Sequence, residues 1–291
     1  MDATSSQDVE EKALVSKKHS LLQLRGVSKV FSSGSIDEVT ALNKIKFDVN
    51  TEDFITIIGS NGAGKTTLLN VIAGVYPPER GGKIIINGED VTNLSEHKRA
   101  YYVGRVYQDP QIGTAAKMTI EENLSLAMLR GQSRGLSMAI NKKYREQFRL
   151  ALAPLGLGLE NRLNTPVGVL SGGQRQALAM VMATMSNPSL LLLDEHISTL
   201  DPNTARSVLE LTEMIIKRES MTTIMVTHNM DIALHYGSRL VMMHKGRIIV
   251  DLDHVQKSNL TFNDLIIAFE RASGERFTDD NILLSRTESI S

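Results

Sequence analysis

The sequence predicts an α/β protein: a mostly parallel sheet with helices on both faces, and a helical block inserted into it. Three observations carry this. Phe54–Ile58 (FITII), Leu190–Asp194 (LLLLD) and residues 223–227 are short apolar runs without alternation, as in strands buried on both faces. Stretches of helical spacing separate them, such as Val208, Leu211, Thr212 and Ile215 on one face. From about residue 110 to 188 helical patterns dominate.

The elements follow in order. Residues 21–31 alternate apolar and polar side chains, and residues 46–49 do so again after a loop containing SSGS. FITII ends at Gly59, and a helix is expected from about Gly64 to Ala73. Gly74, Pro77, Pro78, Gly81 and Gly82 break the chain before strands at 83–87 and 103–107. Helices are expected over 119–129, 142–152 and 173–185, and strands return at 190–194, 223–227 and 240–243. The basic cluster Lys142, Lys143, Arg145 and Arg149 reads as a solvated helix face, and Met180 to Met185 as core packing. Residues 1–20 are polar, without the apolar segment of a secretion signal, and are expected to form a mobile extension. A tail from 253 to 291 carries one expected helix over 261–271 and is expected to dock across a dimer or fray.

Composition excludes several functions. With 291 residues and 42% hydrophobic content, a substantial core is available. Lys and Arg number 32 against 33 Asp and Glu, so bulk charge does not suit a nucleic-acid coat, and no nucleic-acid partner is expected. There is no Cys, hence no disulfide, thiolate metal site or Cys nucleophile. No run reaches the roughly 18 apolar residues that span a bilayer.

Three motifs carry chemistry. Gly59-Ser60-Asn61-Gly62-Ala63-Gly64-Lys65-Thr66-Thr67 fits G-x-x-x-x-G-K-[ST] between a buried strand and a helix. Its glycines let backbone N–H groups curl around phosphate oxygens, and the helix aims its positive end at them. Lys65 is expected on the β- and γ-phosphates and Thr66 on Mg²⁺. The second motif is the buried strand that ends in Asp194 and Glu195. Asp194 suits the Mg²⁺ shell, partly through water, and Glu195 suits a general base for the attacking water. The third, Ser171-Gly172-Gly173-Gln174, opens a further helix and presents a second anion-seeking helix end. Two such ends in one chain suggest that they do not serve the same nucleotide.

The ordered set GxxxxGKT, LSGGQ and LLLLDE resembles the ATP-binding-cassette (ABC) ATPases, over about residues 21–252. The resemblance implies a P-loop NTPase (RecA-like) core, an antiparallel β part and an inserted helical subdomain at about 110–188. It implies ATP and Mg²⁺ as ligands, and two copies packed head to tail, each ATP lying between one copy's phosphate loop and the other's LSGGQ. On the same basis Gln108 matches the glutamine that contacts Mg²⁺ or the lytic water. Ser198-Thr199-Leu200-Asp201 matches the loop that reaches across the dimer, His228 the γ-phosphate sensor, and Phe31 the adenine-stacking aromatic. The family usually has Pro where this chain has His196, which reads either as a titratable group beside Glu195 or as a marker without catalytic meaning.

Stretches such as LSGGQRQALAM, VTHNMDIALHYG and MMHKGRII, with Thr119-Ile120-Glu121-Glu122-Asn123, resemble a bacterial importer group. That implies a separate transmembrane permease whose coupling helix docks near Gln108. It also implies an extracytoplasmic solute-binding protein, a place at the cytoplasmic face of the membrane, and a small solute such as an amino acid. The alternative is a soluble ABC ATPase driving assembly, of the iron–sulfur type.

Overall fold

Apolar residues packed without alternation can only be buried on both sides, and β3 (Phe54–Ile58), β7 (Leu190–Asp194) and β8 (Thr222–Val226) are buried at every position. The computed structural model describes residues 19–130 and 141–275. With β6 (Val103–Val106), β9 (Arg239–His244) and β10 (Arg247–Leu252), these strands form a sheet of order β10-β9-β3-β8-β7-β6. Strands β6 to β9 are mutually parallel, and β10 returns antiparallel to β9. The returning turn is Lys245-Gly246, with φ of 46° and 73°, the positive values that a two-residue hairpin needs. A second, antiparallel sheet has order β2-β1-β4-β5, from β1 (Ser20–Phe31), β2 (Val39–Asn50), β4 (Lys83–Ile86) and β5 (Glu89–Asp90).

Strand β2 starts at Val39, well before the expected 46–49. Its pairing with β1 shifts register at three places between Leu24 and Val30, and Lys44 has φ 49°. Such bulges break the period-two pattern by which a strand is read from sequence.

The helices are α1 (Lys65–Ala73), α2 (Glu96–Arg99), α3 (Pro110–Gly113), α4 (Ile120–Met128), α5 (Lys142–Leu152), α6 (Gly172–Thr184), α7 (Pro202–Arg218), α8 (Met230–His235), α9 (His254–Ser258) and α10 (Phe262–Ser273). Between β6 and β7 the described chain is helical, as expected. The two faces of the parallel sheet bury different partners. Leu190, Leu192, Ile55, Ile57, Ile224 and Val226 pack against α1 and the antiparallel sheet. Leu191, Leu193 and Met225 pack against α4 to α7, with Met180 and Met182 in that core.

Local contacts refine the helical block. Thr119 and Glu122 form a reciprocal cap at the start of α4. The Asn123 amide holds the preceding loop through Ala115 N–H at 2.8 Å and the carbonyls of Ala115, Met118 and Thr119. The basic cluster is exposed, as expected; within it Arg145 grips Glu121 of α4 with two bonds of 2.7 and 2.9 Å, and Arg149 lies 3.5 Å from Glu146.

The tail corrects another expectation. Over 253–275 it packs on its own chain as two helices, with Leu265 and Phe269 of α10 buried against Met230, Leu240 and Met242. Lys257 of α9 is buried and caps the carbonyl end of α8, donating to Tyr236 O and, at 2.8 Å, to Gly237 O. Burial pushes its ammonium down to about 8. The expected extension, apart from its last two residues, lies outside the described residues.

Arg99 does the same for α1. It is fully buried and donates to Val71 O at 2.5 Å, Ile72 O at 3.0 Å and Thr92 O at 2.7 Å. Burial lowers its guanidinium to about 10, so it stays charged at the carbonyl end of the helix, where a cation is favoured. Replacing Arg99 with Leu orphans buried carbonyls and is expected to destabilise the fold by about 2–3 kcal/mol, read by urea unfolding.

Candidate active site

The phosphate loop joins the end of β3 to the start of α1. Gly64, at the amino end of α1, has φ 98°, and a Cβ there would run into the Ala41 carbonyl oxygen. Only glycine fits. No side chain caps α1, which leaves its first N–H groups to an anion. The buried Lys65 ammonium curls over the loop and donates to Gly59 O at 2.6 Å and Ser60 O at 3.2 Å.

Alternation along β7 turns Asp194 to the face that carries α1. Its Oδ1 accepts from the Thr66 hydroxyl at 3.2 Å, and its Oδ2 from Arg105 at 3.0 Å. Glu195 does not continue the strand. Its φ of 45° is strained for a residue with a Cβ and swings the carboxylate away. Glu195 Oε2 lies 3.4 Å from His228 Nδ1. The hydrogen bond from His228 holds its carboxyl below the usual range, and the Lys65 charge adds to this. His228 stands between the end of β8 and the amino end of α8, where Asn229 caps Ile232 N–H at 3.0 Å.

Gln108 joins this group indirectly. Its Nε2 donates to Ser198 Oγ at 3.1 Å, and Ser198 Oγ donates to Glu195 O at 2.9 Å. Asp201 caps α7, accepting from Thr204 N–H at 3.1 Å, and the Thr204 hydroxyl, with this N–H, holds its carboxyl below the usual range. Phe31 is half-buried, with its ring edge-on to Tyr76 at 5.2 Å.

The structure does not bring the third motif into this group. Ser171 and Gln174 cap α6 reciprocally. Gly173 admits the Thr204 methyl so closely that a Cβ would collide with it. Helix α6 lies on the face of the sheet opposite α1. The uncapped end of α1 and the capped end of α6 thus belong to helices on opposite faces of one sheet.

The chain is similar to known proteins. The family model described as ABC transporter matches residues 42–198. A tyrosine transport ATP-binding protein of Clostridioides difficile is 42% identical over 252 residues, 87% of this chain and 100% of that one. The chain belongs to the ABC transporter ATPase family. A methionine import ATP-binding protein of Corynebacterium diphtheriae is 33% identical, and the match spans 78% of this chain but 64% of that longer protein. Among solved structures, the ADP conformation of MJ1267, an ATP-binding cassette of an ABC transporter, aligns with TM-score 0.71 at 25% identity, over 88% of this chain and 98% of that one. A dimeric post-hydrolysis state of the cassette MJ0796 with ADP and Pi shares the fold, with TM-score 0.69 at 24% identity, over 80% and 99%.

Sequence reasoning missed Arg105 and Asn70 in this ABC ATPase. Arg105 NH1 donates to Asn70 Oδ1 at 2.6 Å, behind Asp194. The available signal was a charged residue inside a core strand, VGRV, which must find a partner. His196 is turned inward rather than toward substrate. It is 1% exposed, and its Nε2 lies 3.2 Å from Thr212 Oγ1. Thr212 already donates its proton to Val208 O at 2.8 Å, so Nε2 is the donor and Nδ1 carries the lone pair. Nδ1 is buried without a hydrogen-bond partner among the described residues, so protonation there is costly, and burial holds the imidazole at about 4. The unfolded chain takes up this proton first. The stability from neutral His196 is therefore complete above about pH 6.5 and is lost as pH falls toward 4, by at most about 1.4 kcal/mol per pH unit. His196→Gln is expected to flatten that slope in urea unfolding between pH 4.5 and 7.5, and parallel slopes would assign the pH dependence to another group.

Proposed function

We propose that this ABC ATPase works as a head-to-tail dimer that powers a bacterial-type importer through a separate permease. The observation that carries the reading is the placement of α1 and α6 on opposite faces of one sheet. Within one chain the Ser171 end of α6 does not join the phosphate-loop group, and a second copy can offer its Ser171-Gly172-Gly173-Gln174 end to the first copy's phosphate loop. Asp201 and the Ser198 loop stand at the start of α7, beside Gly172 and Gly173, where they would meet the partner.

Within each site, Gly59 to Thr67 cradle the phosphates and Lys65 neutralises them. Phe31 is the proposed adenine contact. Glu195, kept ionised by its hydrogen bond from His228, accepts the proton of the attacking water. His228 holds Glu195 and is placed to sense the γ-phosphate. Gln108, tied through Ser198 to the Glu195 backbone, links the same point to the edge strand β6. Thr66 and Asp194 offer hard oxygen donors 3.2 Å apart and, with Gln108, would hold Mg²⁺. Bound there, the ion supplies charge neutralisation on the β- and γ-phosphates.

Among the described residues no helix is long and apolar enough to cross a membrane, which is why the reading requires a permease. The groove beside β6, lined by Glu96, Ala100, Tyr107, Ile112 and Arg130, is the proposed seat of its coupling helix, at the cytoplasmic face of the membrane. The full system would include an extracytoplasmic solute-binding protein. The relative that transports tyrosine, matched over its whole length, makes an aromatic amino acid the favoured solute.

Glu195→Gln is expected to slow phosphate release by at least roughly 10²-fold while retaining ATP and shifting the chain to a dimer in light scattering. Normal turnover would remove Glu195 as the base. Lys65→Ala is expected to abolish binding of a fluorescent ATP analogue. Mild-detergent pull-down of the tagged chain from native membranes is expected to recover a polytopic permease, and recovery with soluble partners alone would overturn the transport reading.

A further inference from the structure

Arg105 has no task in the chemistry above, yet it is built in with care. It stands on the edge strand β6, with its side chain 9% exposed, and meets Asp194, also 9% exposed. Its two terminal nitrogens divide their work: one donates to Asp194 Oδ2 at 3.0 Å, the other to Asn70 Oδ1 of α1 at 2.6 Å. The guanidinium carbon lies over the Tyr107 ring, 4.5 Å from its centroid. Removing such a pair from water costs about as much as the attraction returns, so stability alone does not account for it. A planar fork held at three points does fix geometry.

We propose that Arg105 is a positioning residue for the metal-binding carboxylate. It holds Oδ2 of Asp194, which leaves Oδ1 facing Thr66, and it ties that orientation to α1 through Asn70 and to the end of β6 through Tyr107. The inference rests on the reading of Thr66 and Asp194 as holders of Mg²⁺. Two effects oppose each other here. A fixed ligand binds a cation better than a wandering one, and supporting contacts of this kind are worth about 10–100-fold in metal affinity. A neighbouring positive charge instead repels the ion. The sign of the effect therefore separates a positioning role from mere charge pairing.

The test uses the full chain and a fluorescent ATP analogue, bound first in EDTA and then titrated with Mg²⁺, with Mn²⁺ binding followed by electron paramagnetic resonance. Arg105→Lys keeps the charge but loses the fork. Asn70→Ala keeps Arg105 but removes its outer anchor. Both are expected to raise the metal concentration for half-saturation, Arg105→Lys by about 10–100-fold, with Tm and metal-free nucleotide affinity as in the parent. Arg105→Met leaves Asp194 buried without its cation and is expected to lower Tm, so the two milder variants decide. An unchanged or lowered metal requirement would overturn the proposal, as would a parallel loss of Tm and metal-free affinity in both milder variants. If the parent itself shows no Mg²⁺-dependent gain in nucleotide binding, the Thr66–Asp194 reading fails instead.

Discussion

The parallel sheet is apolar on both faces, and the rest of the structure depends on that burial. Leu190 and Leu192 look one way, Leu191 and Leu193 the other. Water must be excluded from both sides, so helices cover both. Once α1 lies on one face and α6 on the other, the Ser171 end of α6 is held by its own cap and does not join the group around the phosphate loop. The proposed second copy would bring such an end to the phosphate loop.

The same strand sorts the acids. Alternation delivers Asp194 to Thr66 and Arg105, while the positive φ of Glu195 breaks the alternation and delivers it to His228. Two adjacent carboxylates thus enter different surroundings: the Asp194 side chain is 9% exposed and paired with Arg105, and that of Glu195 is 19% exposed beside His228. Strain at one residue is a small cost for giving two adjacent carboxylates separate surroundings.

Buried cations complete the frame. Arg99 and Lys257 each neutralise the carbonyl end of a short helix whose other end meets the site, α1 behind the phosphate loop and α8 behind His228. Both stand far from the motifs in sequence and reach their helices only through the fold. Lys257 makes the C-terminal segment part of the support for the His228 helix.

The motif positions were legible in the sequence because their chemistry demands residue types at fixed local spacing. A glycine-rich loop before Lys65-Thr66, acids at the end of LLLLD and a Ser-Gly-Gly helix start need only neighbours along the chain. The α/β class was legible too, because burial on two faces leaves its mark on five consecutive residues. Tertiary structure alone decided what depends on distant partners. The start of β2 is hidden by bulges against β1, Arg145 finds Glu121 across a helix pair, and His196 turns toward Thr212. Arg105 reaches Asn70 and Asp194, 35 and 89 positions away, because α1, β6 and β7 pack together. Local spacing is written in the chain, whereas the pairing of a buried charge is settled only when the elements that carry its partners close around it.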